Sequence, residues 1–165
     1  MKNKITLLLL LFINVSCLTL INAQNSTWLN FTYSSQVNRF IQQNDTLIVG
    51  TCAGMLKMSL VSYESKFYTV SNSGLHNHNI GPMEIDTNGN LWIGTLEGIH
   101  ITDGENWTIF TESNSPLPNN SVCSIELDNQ GDIWVGTYGG GLIKIHDSEW
   151  QLFNTSNSEI CGDFI

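Results

Sequence analysis

The chain has 165 residues and a formal net charge of −9, with 6 basic side chains against 15 acidic ones. That length allows one domain or part of one. A surface this acidic argues against nucleic acid and anionic lipid as partners, because both carry negative charge themselves.

Residues 1–23 have the organisation of a secretory signal peptide. Two lysines in "MKNK" precede the apolar run "ITLLLLLFI", and the small-residue segment "INA" follows. Asn14 and Ser16 interrupt the apolar stretch, which disfavours a permanent membrane span. We therefore expect cleavage after Ala23 and an exported chain. An uncleaved membrane anchor and a lipoprotein acylated at Cys17 are the alternatives.

The expected mature part, residues 24–165, keeps three cysteines: Cys52, Cys123 and Cys161. An odd number of cysteines in an exported chain cannot form a complete disulfide framework. We expect the three thiols to be buried and to act as small apolar side chains.

The central part of the chain is an internal repeat. "DTNGNLWIGTLEGIHI" at 86–101 matches "DNQGDIWVGTYGGGLIKI" at 128–145, and "NDTLIVGTCAGMLKM" at 44–58 is a weaker copy. The copies at 86–101 and 128–145 share identical residues at five positions with one constant spacing. The pairs are Asp86 and Asp128, Gly89 and Gly131, Trp92 and Trp134, Gly94 and Gly136, and Thr95 and Thr137.

A second motif recurs out of phase with the first. "WTIF" at 107–110 matches "WQLF" at 150–153, and "WLNF" at 28–31 and "FYTV" at 67–70 fall at similar steps upstream. Together the two motifs divide each repeat into four short strands, with hairpin signals such as "TNGN" and "NQGD" between them. No stretch after the signal segment has an apolar helical face, so we expect an almost all-β chain.

Strand segments such as "LWIG" and "IWVG" are apolar on both faces, which indicates that each small sheet is packed between two others. Four-stranded units of this size, stacked face to face, are the blades of a β-propeller. We expect Trp134 to be buried against the neighbouring blade, and Gly94 and Gly136 to leave room for its backbone or an aromatic ring. The predicted blades span about 36–70, 79–111 and 121–154, with 27–33 as a closing strand and 159–165 beginning another blade.

The predicted fold is thus an all-β, incomplete propeller of about three blades plus partial strands. Three blades are too few to close a ring. We expect the 165-residue chain to be a fragment, or a truncated reading frame.

The glycine-rich segment "GTYGGG" at 136–141 is not a phosphate loop. A phosphate loop leads from a strand into a helix, with a Lys-Ser/Thr pair in place. Here "LIKIHD" follows and alternates like a strand. The glycines are explained as turn residues that need a positive φ.

No set of residues predicts catalysis, a metal site or a cofactor. Asp86 and Asp128 are spaced as a repeat, and we expect their side chains to accept N–H bonds in turns. His76 and His78 form "HNH", but no cysteine or carboxylate stands near them at ligand spacing. His100 and His146 occupy strand positions in successive repeats, where we expect surface or inter-blade side chains.

The pattern I-x-x-D-x-x-G-x-[LI]-W-[IV]-G-T-x-x-G-[LI] resembles the two-component regulator propeller repeat. The resemblance covers Ile85–Ile101 and Leu127–Ile145, whereas the first copy has Ile48 where a tryptophan would stand. It implies the N-terminal part of the periplasmic sensor region of a Bacteroidetes-type hybrid histidine kinase. The implied ligand is an oligosaccharide or other small molecule, and the implied partner is the rest of the propeller and sensor chain. The alternatives are a secreted scaffold or adhesin, and a lyase-type propeller enzyme.

Propellers bind ligands at the loops that enter each first strand and at the turns between second and third strands. Those loops and turns are 72–79, 114–120, Leu96–Glu97 and Tyr138–Gly139. Tyr138 is the best candidate for stacking on a sugar ring. The full set of predicted ligand-binding residues is Tyr138, His76, His78 and Glu97.

Overall fold

The computed structural model describes residues 19–21, 28–30 and 36–165. The chain divides into two units, Met1–Gln36 and Val37–Ile165. In the first unit, strands β1 (Thr19–Ile21) and β2 (Trp28–Asn30) pair antiparallel. The rest of the expected signal peptide and of segment 27–33 lies outside the described residues.

The second unit consists of three four-stranded antiparallel sheets, each with its strands in chain order. The first sheet comprises β3 (Val37–Gln43), β4 (Thr46–Thr51), β5 (Gly54–Ser59) and β6 (Ser65–Tyr68). The second comprises β7 (Met83–Ile85), β8 (Leu91–Thr95), β9 (Gly98–Thr102) and β10 (Trp107–Phe110). The third comprises β11 (Val122–Leu127), β12 (Ile133–Thr137), β13 (Gly141–His146) and β14 (Glu149–Phe153). The described ranges contain no helix, and the predicted all-β fold of propeller blades is confirmed.

The first strands of the three sheets lie side by side. β3 packs against β7, and β11 packs against β7 and β8. Arg39 on β3 reaches Glu126 on β11, with 3.9 Å between the guanidinium nitrogen and the carboxylate oxygen. The sheets are therefore arranged like adjacent blades around one axis, as part of an unclosed ring.

The hydrophobic core lies between successive sheets and forms two clusters. One joins the first and second sheets and includes Ile48, Met55, Leu75, Ile80, Met83 and Ile93. The other joins the second and third sheets and includes Trp92, Ile99, Leu117, Val122, Ile125, Val135 and Ile143. Burial of both faces of the middle sheet explains why its strand β8 is buried at every position.

Glycine in the repeated Gly-Thr pair makes room for the next sheet. A Cβ at Gly94 would lie 2.6 Å from Val122 Cγ1 and 2.7 Å from Pro82 Cγ. A Cβ at Gly50 would lie 2.6 Å from Ile80 Cγ2. The space is filled by side chains that lead into or begin the first strands, and not by the expected backbone or aromatic ring.

The aspartate and tryptophan of the repeat are bonded to each other. Asp86 and Asp128 each accept hydrogen bonds from backbone N–H groups two and four residues ahead, at 2.8 to 2.9 Å. Each also accepts one from an indole Nε1, of Trp92 at 3.0 Å and of Trp134 at 2.9 Å. The bond from Trp134 is the main reason why the pKa of Asp128 is lowered. The turn thus orients the ring that packs on the sheet.

The two tryptophans differ in burial, which corrects the expectation for Trp134. Trp92 is 8% exposed in the core between the second and third sheets. Trp134 is only half-buried, because no further sheet covers that face of β12 in the part of the chain that is described. Its ring stacks on Phe153 with 5.8 Å between centroids, and Lys144 Nζ lies 5.5 Å from its centroid.

Candidate functional site

The inter-sheet loops and the β8–β9 and β12–β13 turns lie at one end of the sheets. Gly98 N–H donates to the Asn120 carbonyl at 2.8 Å, and Tyr138 N–H donates to the Ser121 carbonyl at 2.9 Å. The first bond fastens the β8–β9 turn to the loop that enters the third sheet, and the second fastens the β12–β13 turn to the end of that same loop. We call this end the loop face; it consists of residues 72–79, 96–97, 114–120 and 138–140.

The β8–β9 turn is built by the threonine of the repeat. Thr95 Oγ1 donates to the Gly98 carbonyl at 3.1 Å and accepts from Glu97 N–H at 2.9 Å. Thr51 and Thr137 donate in the same way to Gly54 and Gly141, at 2.8 and 3.0 Å. The buried hydroxyl therefore fixes the backbone that presents Glu97.

One of the predicted ligand-binding residues, Glu97, is linked across the loop face to Asn77, which stands between the predicted His76 and His78. Asn77 Nδ2 donates to Glu97 Oε1 at 3.1 Å, and Asn77 directly follows His76 in the loop. The side chains of His76, His78 and Glu97 are exposed. The loop and the turn thus present imidazole, amide and carboxylate groups together, which can donate and accept hydrogen bonds.

Tyr138 lies on the turn of the next sheet. It is 62% exposed, and its ring meets the edge of Phe164 with 4.8 Å between centroids at 81°. Tyr138 and Phe164 also form a β-bridge. Tyr138 thus offers an accessible aromatic ring, while its backbone is fixed by the bridge to Phe164.

Sequence reasoning missed His100 as part of this region and predicted only a surface or inter-blade side chain. It is fully buried on β9, opposite Ile93. Its Nε2 accepts the His76 N–H at 3.1 Å, and the two rings meet edge to face at 5.7 Å. Burial, and then the charge of His76, lower the pKa of His100 to about 4. The available signal was a histidine at a strand position where the other copies carry Leu56 and Ile143.

The expectation of buried thiols is wrong. Cys52, Cys123 and Cys161 are all exposed and unpaired with each other. Cys52 follows the turn-forming Thr51, at the position of Leu96 and Tyr138 in the other copies. A turn tip at the end of a sheet has no neighbouring sheet to cover it.

A charged cluster lies at the opposite end of the third sheet. The Asp132 carboxylate is 2% exposed and contacts Lys144 Nζ at 2.6 Å and His146 Nδ1. The hydrogen bond from Lys144, and then that from His146, lower the pKa of Asp132, and the Asp132 bond raises the pKa of His146. The cluster compensates a buried negative charge. Among residues 36–165 no group of three His, Cys, Asp or Glu side chains is arranged to hold a metal ion.

None of the described segments is a helix long and apolar enough to cross a membrane.

Residues 116–139 match the family model described as Two component regulator propeller. This segment runs from the loop before β11 to the β12–β13 turn, and it confirms the resemblance drawn from the sequence. A comparison with curated proteins gave no match.

Solved propeller structures are similar to the chain. The extracellular domain of a hybrid two component system from B. thetaiotaomicron has 23% identity and a TM-score of 0.72, with 88% of this chain and 21% of that chain covered. PorZ, a surface component of the type-IX secretion system of Porphyromonas gingivalis, has 17% identity and a TM-score of 0.60, with 88% and 25% covered. A virginiamycin B lyase from Staphylococcus aureus has 14% identity and a TM-score of 0.60, with 84% and 48% covered.

At these identities the likeness shows the propeller fold alone. The chain spans about a fifth of the first of these structures and a quarter of the second.

Proposed function

We propose that the chain is a non-enzymatic ligand-sensing propeller module of an exported sensor. Support comes from the Two component regulator propeller match at 116–139 and from similarity to extracellular domains of two component systems. The proposed location is the periplasmic or extracellular side of a bacterial membrane, with the signal segment directing export. The rest of the propeller and sensor chain would be its partner.

The loop face is the proposed binding surface, and its ligand an oligosaccharide or other small polar molecule. The observation that carries this proposal is the link between Asn77 and Glu97 at 3.1 Å, together with an exposed Tyr138 on the equivalent turn of the next sheet. Amide and carboxylate groups suit sugar hydroxyls, and an exposed aromatic ring suits the apolar face of a sugar. Binding would favour one packing of the neighbouring domains over another and so change the signalling state.

A screen of oligosaccharides from plant and host glycans tests the proposal. Thermal shift identifies a binder, and calorimetry measures its affinity for the full chain. We expect Tyr138→Ala to weaken binding by about tenfold, taking as the scale the roughly 1–3 kcal/mol that a nucleic-acid base gains by stacking on an aromatic side chain. Val61→Ala is the matched control, because Val61 is 70% exposed in the β5–β6 turn at the other end of the sheets. Equal losses in both variants would contradict the assignment to the loop face.

A secreted scaffold is the second candidate, favoured by the similarity to PorZ, a bacterial surface component. If the chain is a scaffold, none of the oligosaccharides should bind it. It should bind a protein partner, and this binding should persist when Tyr138 is replaced. A lyase-type enzyme is the third, and would require a catalytic group on the loop face whose loss abolishes turnover.

A further inference from the structure

One buried position of the second sheet breaks the apolar pattern of the repeat. His100 on β9 lies opposite Ile93, as Leu56 lies opposite Val49 and Ile143 opposite Val135. All three positions are buried, and only the second sheet places a polar ring there. Burying a polar side chain costs free energy unless it is hydrogen-bonded.

The hydrogen bond that compensates His100 comes from the loop face. The His76 backbone N–H donates to His100 Nε2 at 3.1 Å. An accepting ring nitrogen carries no proton, so the ring is neutral and its hydrogen is on Nδ1. Nδ1 itself has no hydrogen-bond partner within the described residues. The ring therefore holds the loop through one nitrogen only.

The equivalent loop before the third sheet differs at both ends of this bond. The two loops align through their buried leucines, Leu75 and Leu117, which each precede the residue in question. Pro118 stands where the first loop has His76, and proline has no N–H to donate. Ile143 correspondingly stands where the second sheet has His100. A histidine is thus present where the loop offers an N–H and absent where it offers none.

We propose that His100 is a positioning residue that fixes loop 72–79 by accepting the His76 N–H. Through this bond it sets where His76 and the Asn77–Glu97 pair stand on the loop face. The anchoring itself does not depend on any ligand. Its consequence for binding rests on the proposed function.

The charged groups near His100 are few. His76 approaches from the loop, and Glu97 from the β8–β9 turn. The strand neighbours of His100 are Ile93 and Ile109, which carry no charge. A proton on Nε2 would remove the acceptor, so acid should release the loop in the same way as replacement of the ring.

Hydrogen exchange of the amides in loop 72–79 tests the anchoring. The variant His100→Ile places at position 100 the isoleucine that the third sheet has there, and so removes the acceptor of the bond. We expect hydrogen exchange in the loop to accelerate about five- to tenfold, because one net hydrogen bond is lost. The double variant His76→Pro with His100→Ile copies both ends. It removes the unpaired N–H, and we expect the remaining loop amides to return to within about twofold of the original chain.

Leu56→Ile, at the equivalent position of the first sheet, is the control and should leave exchange in loop 72–79 unchanged. Unchanged exchange in His100→Ile would overturn the proposal. Should His100→Ile fail to fold, the double variant decides: recovery of folding supports the anchoring role, and failure of both overturns it. Nitrogen-15 NMR of the imidazole gives a separate readout, because the proposal requires an unprotonated Nε2 at neutral pH.

The binding arm uses an oligosaccharide identified by the thermal-shift screen. We expect His100→Ile to weaken its binding, because the loop no longer holds His76 and Asn77 in place. Unchanged affinity alongside faster loop exchange would overturn the claim that the anchor positions the loop face. Faster exchange with no oligosaccharide bound by any variant, the original chain included, would leave the anchoring intact and reject the proposed function. The two failures are therefore distinguishable.

Discussion

At the scale of single residues, the same side chain has different surroundings in successive copies of the repeat. Trp92 and Trp134 make the same indole bond to an aspartate, at 3.0 and 2.9 Å. Only Trp92 is enclosed between two sheets. The contribution of each ring to stability should therefore depend on how deeply it is buried, and not on the indole–aspartate bond that both rings share.

Replacing these tryptophans by alanine separates burial from motif. We expect Trp92→Ala to lower the free energy of unfolding by about 3–5 kcal/mol, as is typical of removing a core aromatic side chain. Trp134→Ala should cost roughly half as much, because its ring keeps part of its surface in water. Urea unfolding of the two variants measures the difference. Equal losses would mean that the indole–aspartate bond, and not inter-sheet packing, dominates.

The two strand histidines should titrate in opposite directions from the ordinary value of 6.5. Burial holds the pKa of His100 at about 4, whereas the Asp132 bond raises that of His146. The charged form of His146 thus stabilises the fold below pH 6.5, and this contribution is lost as pH rises through the folded-state pKa. The pH dependence from His100 has the opposite sign. Its ring stays neutral in the folded state, so the free energy of unfolding falls as pH drops from 6.5 toward 4, where the unfolded chain binds the proton first.

An NMR titration of the imidazole resonances checks both shifts, with His146→Gln and His100→Gln to assign them. In denaturant midpoints, replacing His146 should matter less at pH 8 than at pH 6. A His146 that titrates below 6.5 would contradict the contact with Asp132.

At the scale of elements, hairpins are closed by one threonine hydroxyl and one glycine. Gly98 follows the β8–β9 turn with φ +105°, and a Cβ there would collide with the Phe110 carbonyl oxygen of the neighbouring strand. Glycine is therefore required at position 98 for two reasons. The turn needs a positive φ, and the close pairing of β9 with β10 leaves no room for a side chain.

Gly98→Ala and Gly104→Ala separate these two requirements. Both glycines have φ +105°, but a Cβ at Gly104 would have nothing within 4 Å. Left-handed strain alone costs about 1–2 kcal/mol, which is what we expect for Gly104→Ala. Gly98→Ala should cost at least about 1 kcal/mol more, because the clash forces the strands apart. Thermal unfolding compares the two; a larger loss at Gly104 would count against the close pairing of β9 with β10.

At the scale of the whole molecule, the three sheets leave apolar groups uncovered at the two flanks of the stack. Phe40 on the first sheet is 44% exposed, and Ile165 beside the third is 41% exposed. Equivalent positions between sheets are buried, as Met83 is on β7. Apolar surface of this kind promotes association.

The 165-residue chain should therefore associate in solution, with an apparent mass in static light scattering that rises with concentration. Phe40→Ser should reduce the association, because it removes an apolar group from one flank. Val61→Ser is the control, since Val61 is exposed in a turn and not on a flank. A monodisperse monomer at all concentrations would show that the flanks do not attract each other.

The repeat alone determined the strand number of each sheet and the fold class, since Asp, Trp, Gly and Thr recur at fixed spacing and each has a local role. Asp86 accepts N–H bonds within its own turn, as the spacing predicts, and the structure adds a bond from the indole of Trp92 on the following strand. Glycine at position 94 was recognisable because only a small residue allows another chain segment to approach.

Only the tertiary structure decided the features that depend on which chain segment packs against a residue. Whether Trp134 is buried depends on a sheet stacked against it, and Cys52 is exposed because of its place at a turn tip. The contact of His100 with the His76 N–H joins a strand to a loop 24 residues earlier in the chain, and no local pattern encodes it. Local hydrogen bonds are fixed by neighbours in the sequence, whereas burial and the pKa of a buried ring are fixed by neighbours in space.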